Sequence, residues 1–204
     1  MANKEGKFFE QLAFLTEDCN EAGTIFKKLV NEEISIADGI DGIHDIKKRV
    51  RASLGKLYEK MYKVYKGPEE VELAKGFILK MYGIVDLIHE VLDRFAVYNM
   101  EDAPKGFKPM AELVGCALEE MKKVLDYTSD IESNYMKMEA RCRKIYAFEE
   151  RGDEFYREEI RNLFSQDKEA VYIIYWKDIL SDTERMLDMS AGAVVLLQRL
   201  FARG

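Results

Sequence analysis

The sequence has little that would interrupt a helix: three prolines and thirteen glycines in 204 residues, set against long runs of Glu, Lys, Leu, Met and Ala. So few breakers among strong helix formers exclude a sheet-rich fold and predict an all-α protein. Long hydrophobic runs are missing too. A membrane-spanning helix needs roughly 20 apolar residues, and the best stretch, Ala191 to Leu197, is far shorter. The opening residues, Met-Ala-Asn-Lys-Glu-Gly-Lys-Phe-Phe-Glu, lack the apolar core of a signal peptide, so a cytoplasmic protein is expected.

An excess of positive charge is also absent. With a net charge of −7, a pI near 5.1 and no compensating basic stripe, the chain would repel a phosphate backbone, which excludes nucleic acid as an expected partner. Cysteine is scarce: Cys19, Cys116 and Cys142 lie far apart, each on or beside an apolar stripe, and read as buried free thiols in a reducing compartment. There is no glycine-rich phosphate loop, Ser/His/Asp set or CxxC motif, and Gly39-Ile-Asp-Gly42 is not such a loop.

What the sequence does hold is a series of long apolar seams. Phe8, Leu12, Leu15, Cys19, Ala22, Phe26 and Leu29 recur at steps of four and three, predicting a helix over residues 5–31. Ser35 is positioned to cap a second helix whose stripe runs from Ile36 to Val64, and Gly67-Pro68 supplies a stop and a restart. A third seam runs from Val71 to Phe95. Ala103-Pro-Lys-Gly-Phe-Lys-Pro109, with two prolines and a glycine, reads as a linker between halves.

Three further seams follow: Met110 to Val124, Tyr135 to Ile145, and from about Asp167 almost to the C-terminus, with a break at Ser165-Gln-Asp167. Trp176 is expected to anchor the last helix in the core, and the ten methionines to pack there. Seams of this length fit slender helices at shallow crossing angles, in two three-helix bundles or one elongated bundle. An internal echo favours the former. Lys47-x-x-x-Arg51 in the second helix occupies the place of Glu149-x-x-x-Asp153 in the fifth, and His89 and Asp93 in the third match Glu184 and Asp188 in the sixth. The expected architecture is therefore six long antiparallel helices forming two pseudo-repeated three-helix bundles, residues 1–102 and 110–204, joined by 103–109.

The acidic pairs carry the chemistry. A four-residue step is about one helical turn, so Glu149 with Asp153, and Glu184 with Asp188, each project from one helix face. An antiparallel pairing is expected to set Glu149 opposite Glu184 and converge four carboxylates on one patch. Such a patch must be neutralised by Arg and Lys or by hard cations; iron, manganese, magnesium and calcium all suit it. The simpler alternative is a solvated face paired with Arg151, Arg157, Lys177 and Arg185. Gly152, inside this segment, would allow close approach of the two helices.

A second candidate metal site comprises His44, Asp86, His89 and Asp93. Both histidines belong to Asp-x-x-His units, and a hairpin turning at Gly67 brings His44 near His89 and Asp93. This leaves open a carboxylate-bridged di-metal redox enzyme or metal store of ferritin-like type. Lys47 and Arg51 intrude on it, and a Lys or Arg facing Asp86 and Asp93 would neutralise that patch without metal.

Several of these segments resemble the PhoU-like phosphate-transport regulators, specifically the accessory proteins of Pit-type phosphate permeases. Phe148-Glu-Glu-Arg-Gly-Asp-Glu-Phe-Tyr-Arg157, Leu163-Phe164, Trp176-Lys-Asp-Ile179 and Glu184-Arg-Met-Leu-Asp188 follow the family pattern, as do Phe8-Phe9-Glu10 and the run from Pro68 to Asp93. The resemblance implies two three-helix repeats and a divalent or trivalent metal, with iron the family's metal, at Glu149, Asp153, Glu184 and Asp188. It further implies a non-enzymatic regulator that docks on an inorganic phosphate permease at the cytoplasmic membrane face. A homo-oligomer is compatible with it. The first half departs from the pattern, with Lys47, Arg51 and His89 where the family has acids.

Overall fold

The computed structural model describes residues 2–98, 103–165 and 167–202. Residues 99–102, which end the expected first half, and Gln166, in the expected break before the last helix, lie outside the described residues, as do residues 1, 203 and 204. The helices are α1 (Ala2–Val30), α2 (Ile36–Val64), α3 (Pro68–Val97), α4 (Phe107–Asp126), α5 (Ile131–Ser165) and α6 (Ala170–Phe201), with a 3₁₀ turn at Tyr127–Asp130 ahead of α5. No strand occurs among the described residues.

The helix boundaries follow local chemistry. Ser35 caps α2, its hydroxyl accepting the Asp38 backbone N–H at 3.1 Å, which satisfies one of the orphan donors of a helix start. α3 starts at Pro68, where the missing N–H costs nothing. α4 begins inside the expected linker, at Phe107, because Phe107 is buried against Phe26, Phe95 and Trp176, and Pro109 is tolerated in a first turn. The aromatic contact outweighs the breaker signal. α6 starts at Ala170, three residues later than expected.

α1, α3, α4 and α6 form the centre of the bundle: α1 packs on α3 and α4, and α6 packs on α3 and α4. α2 lies against α1 and α3 only, and α5 against α4, α6 and the 3₁₀ turn only. Burial follows this placement. Twelve of the 30 residues of α3 are buried and thirteen of the 32 of α6, but only six of 29 in α2 and six of 35 in α5. The two outer helices thus hold the bundle by one narrow stripe each, and their other faces are free to carry charge.

Candidate functional site

The four predicted carboxylates lie along the seam between α5 and α6. Gly152 is buried there with Leu187 packed on it; a Cβ at Gly152 would run into Leu187 Cδ1. With Gly152 against Leu187 and the helices antiparallel, the carboxylates follow one another down the seam as Glu149, Asp188, Asp153 and Glu184. Successive members step by about 3 Å along the axis, two residues' rise. The expectation that Glu149 stands opposite Glu184 is therefore corrected by the register: Asp188 lies between them in that order, and Glu184 sits next to Asp153.

The charges in this groove are poorly compensated. Burial raises the pKa of Glu149, and repulsion from Asp153 and Asp188 raises it further. Burial likewise raises that of Glu184, followed by Asp153, Asp188 and Glu149. Of the four cations that could have paired with this face, only Arg157 reaches one of its acids, Asp153, at 3.2 Å. Arg151 turns to Glu154 and lies 4.4 Å from the Phe155 ring centroid, Lys177 pairs with Asp178 at 3.4 Å, and Arg185 forms no ion pair among the described residues.

Glu120 shows what compensation looks like in the same molecule. It is only 6% exposed, and burial alone would raise its pKa. Lys123 at 3.1 Å and Arg141 at 3.1 Å outweigh that and lower it. The groove acids have no such cage of cations. Nor are they a preformed metal cage: among the described residues no three His, Cys, Asp or Glu side chains stand in ligating geometry. Three half-buried carboxylates and the exposed Asp188, with Glu149 and Glu184 under repulsion from their neighbours, are oxygen donors of the kind that suits a hard cation once their rotamers adjust to it.

The corresponding face of α2 and α3 neutralises itself. Lys47 Nζ pairs with Asp86 Oδ1, Arg51 donates to the Tyr82 hydroxyl at 3.2 and 3.4 Å, and His89 Nδ1 lies 3.2 Å from Asp93 Oδ2. His44 and His89 come together across the helix pair, with ring centroids 6.1 Å apart. Sequence reasoning missed Tyr82. The signal was available: the antiparallel register that sets Lys47 against Asp86 and His44 against His89 also sets Arg51 against Tyr82.

Elsewhere the side chains are structural. Trp176 is buried among Phe95, Phe107, Tyr172 and Tyr175, as expected for a core anchor, and its Nε1 has no hydrogen-bond partner among the described residues. Cys19 and Cys142 are buried free thiols; burial pushes the Cys142 thiol up to about 12 and Cys19 higher still, so neither is a nucleophile at neutral pH. Cys116 is only half-buried, a correction to the expectation for it. A cleft of about 680 Å³ lies between α1, the 3₁₀ turn and the end of α6, lined by Phe9, Glu10, Leu125, Asp126, Glu132 and Phe201. It contains none of the groove carboxylates. No helix of the described residues is long and apolar enough to cross a membrane.

No family model matches the sequence, and no curated protein matches it. Solved structures do match its fold. A PhoU-like protein from Shewanella oneidensis MR-1 superposes with a TM-score of 0.75 at 12% identity, covering 97% of this chain and 100% of that one. A protein from the same organism described as a PhoU-like phosphate regulatory protein superposes with a TM-score of 0.71 at 11% identity, again over 97% and 100%. The chain therefore has, over nearly its whole length, the fold of these PhoU-like proteins.

Proposed function

We propose that this PhoU-like chain is a non-enzymatic phosphate-transport regulator that binds metal in the α5–α6 groove. On this reading it works as a cytoplasmic accessory protein docked on a Pit-type inorganic phosphate permease at the inner membrane face. The observation that carries the metal part is the line of Glu149, Asp188, Asp153 and Glu184, with two carboxyl pKa values raised and a single arginine in contact. The full-length likeness to a fold neighbour described as phosphate regulatory supports the transport part.

The halves read as two pseudo-repeated three-helix units. Exchanging α1 with α4, α2 with α5 and α3 with α6 leaves the pattern of helix contacts unchanged, which is what duplication followed by divergence leaves behind. The bound ion is a divalent or trivalent hard cation, iron by family resemblance. Its role is to supply the positive charge that the groove lacks beyond Arg157, with Glu149, Asp153, Glu184 and Asp188 as ligands.

Two measurements test the proposal separately. Elemental analysis of protein purified without chelator or metal-affinity resin is expected to find a stoichiometric hard cation, absent from the Glu149→Gln, Glu184→Gln variant; no metal in either after reconstitution overturns the groove assignment. Affinity capture from native membranes is expected to recover a phosphate permease with the intact chain. Capture of the intact chain without any permease removes the docking half and leaves the metal half standing.

A further inference from the structure

We propose that the first half carries a cation site of its own, formed by the imidazoles of His44 on α2 and His89 on α3. It takes a borderline divalent transition ion such as Zn²⁺ rather than the hard cations suited to the carboxylate groove. This inference does not rest on the permease reading or on metal in the α5–α6 groove.

The geometry is that of two ligands waiting on facing helices. The ring centroids are 6.1 Å apart and the ring planes inclined at 44°. Two imidazoles sharing one Zn²⁺ place their centroids about 5–6 Å apart, since each Zn–N bond is roughly 2.0–2.1 Å and the ring radius adds about 1 Å more. Small side-chain rotations close the difference.

The surroundings select nitrogen over oxygen. Asp93 Oδ2 stands 3.2 Å from His89 Nδ1; with the ring proton on Nδ1, beside that carboxylate, the Nε2 lone pair would be left for a metal, as with the outer-shell carboxylates of metal-binding histidines. The His89 side chain is 17% exposed, whereas His44 is exposed and gives the ion access. Asp86, the nearby acid that could have added a hard donor, is held by Lys47. Arg51 is drawn to Tyr82. Two imidazoles completed by water, with Asp93 offsetting the incoming charge, favour zinc, nickel and copper over magnesium and calcium. Because no third His, Cys, Asp or Glu among the described residues converges there, the coordination sphere keeps open positions, and the ion bridges α2 to α3.

The test uses the metal-stripped full chain carrying Glu149→Gln and Glu184→Gln, so that the groove cannot contribute. Equilibrium dialysis against Zn²⁺ is expected to load about one ion per chain, undiminished by excess Mg²⁺. His44→Ala or His89→Gln removes this uptake, and Asp93→Asn weakens it by about 10–100-fold. Visible absorption of a Co²⁺-loaded sample, present in this background and lost with His44→Ala, gives a second readout. His44 is exposed, so that variant is expected to keep the parent's circular dichroism and melting temperature. Zn²⁺ uptake that survives His44→Ala combined with His89→Gln, or that Mg²⁺ displaces, overturns the proposal.

Discussion

The α2–α3 face and the α5–α6 face occupy matching places in the pattern of helix contacts and solve the same electrostatic problem in opposite ways. In the first, Lys47 meets Asp86, Asp93 meets His89, and Arg51 finds a hydroxyl. In the second, four carboxylates share a seam with one arginine in contact. A face whose acids are already paired depends little on added hard cations or on carboxylate protonation. A face left in deficit is sensitive to both, because its free energy depends on what the solution supplies. On the repeat reading proposed above, a change at four or five polar positions is enough to separate these behaviours.

The sharpest way to break the contrast is to give the second half the residue of the first. Gly152 corresponds to Val50, which is fully buried. Gly152→Val is expected to force α5 away from Leu187, costing about 1–3 kcal/mol by overpacking and abolishing metal uptake; denaturant unfolding and elemental analysis read the two effects. Wild-type stability together with full metal content would mean that close helix approach is not what forms the groove.

The reverse exchange is Lys47→Glu with Arg51→Asp. It strips Asp86 of its partner and adds like charges, so a loss of roughly 1 kcal/mol at low salt is expected, given that the pair is partly exposed. Added Mg²⁺ or Mn²⁺ is expected to restore part of it. A melting temperature that ignores those ions would show that acidic spacing alone does not make a cation site on this fold.

A smaller effect separates the faces by pH. The folded-state pKa values of Glu149 and Glu184 lie above their unfolded values, so the native state holds more protons over the interval between. Metal-free protein is therefore expected to gain stability as pH falls from neutral through the raised values, the gain being complete near the ordinary carboxylate pKa of about 4.5. Glu149→Gln with Glu184→Gln is expected to be the more stable metal-free protein at pH 7, by a few tenths of a kcal/mol per repulsive pair, with the advantage gone at about pH 4.5. A double variant less stable than its parent at pH 7 would place the groove among ordinary paired surfaces.

Smallest of all is Lys47→Met, for which the loss of one half-exposed ion pair predicts about 0–1 kcal/mol. Thermal unfolding should show it shrinking with added salt.

Much of the fold could be read from spacing. The α1 seam from Phe8 to Leu29, the Ser35 cap, the restart at Pro68 and the meeting of His44 with His89 all follow from local periodicity and one hairpin, and all are present. Periodicity says which face of a helix is apolar but not which helix covers it. It therefore left open the central placement of α1, α3, α4 and α6. A register error of about 9 Å, three of the two-residue steps along the seam, likewise set Glu184 opposite Glu149; the contact of Gly152 with Leu187 fixes that register. The start of α4 at Phe107 was hidden because it depends on Phe26, Phe95 and Trp176, far away in sequence.

The outer position of α5 has a kinetic consequence. Only six of its 35 residues are buried, so little apolar surface resists its lifting from α4 and α6, and the crowded acids push it outward. A cation bridging Glu149 and Asp153 to Glu184 and Asp188 would act as a latch, and its concentration would set how often this helix opens. Amide exchange along α5 should then slow when the ion is added, while the central α3 keeps its own unhurried rate.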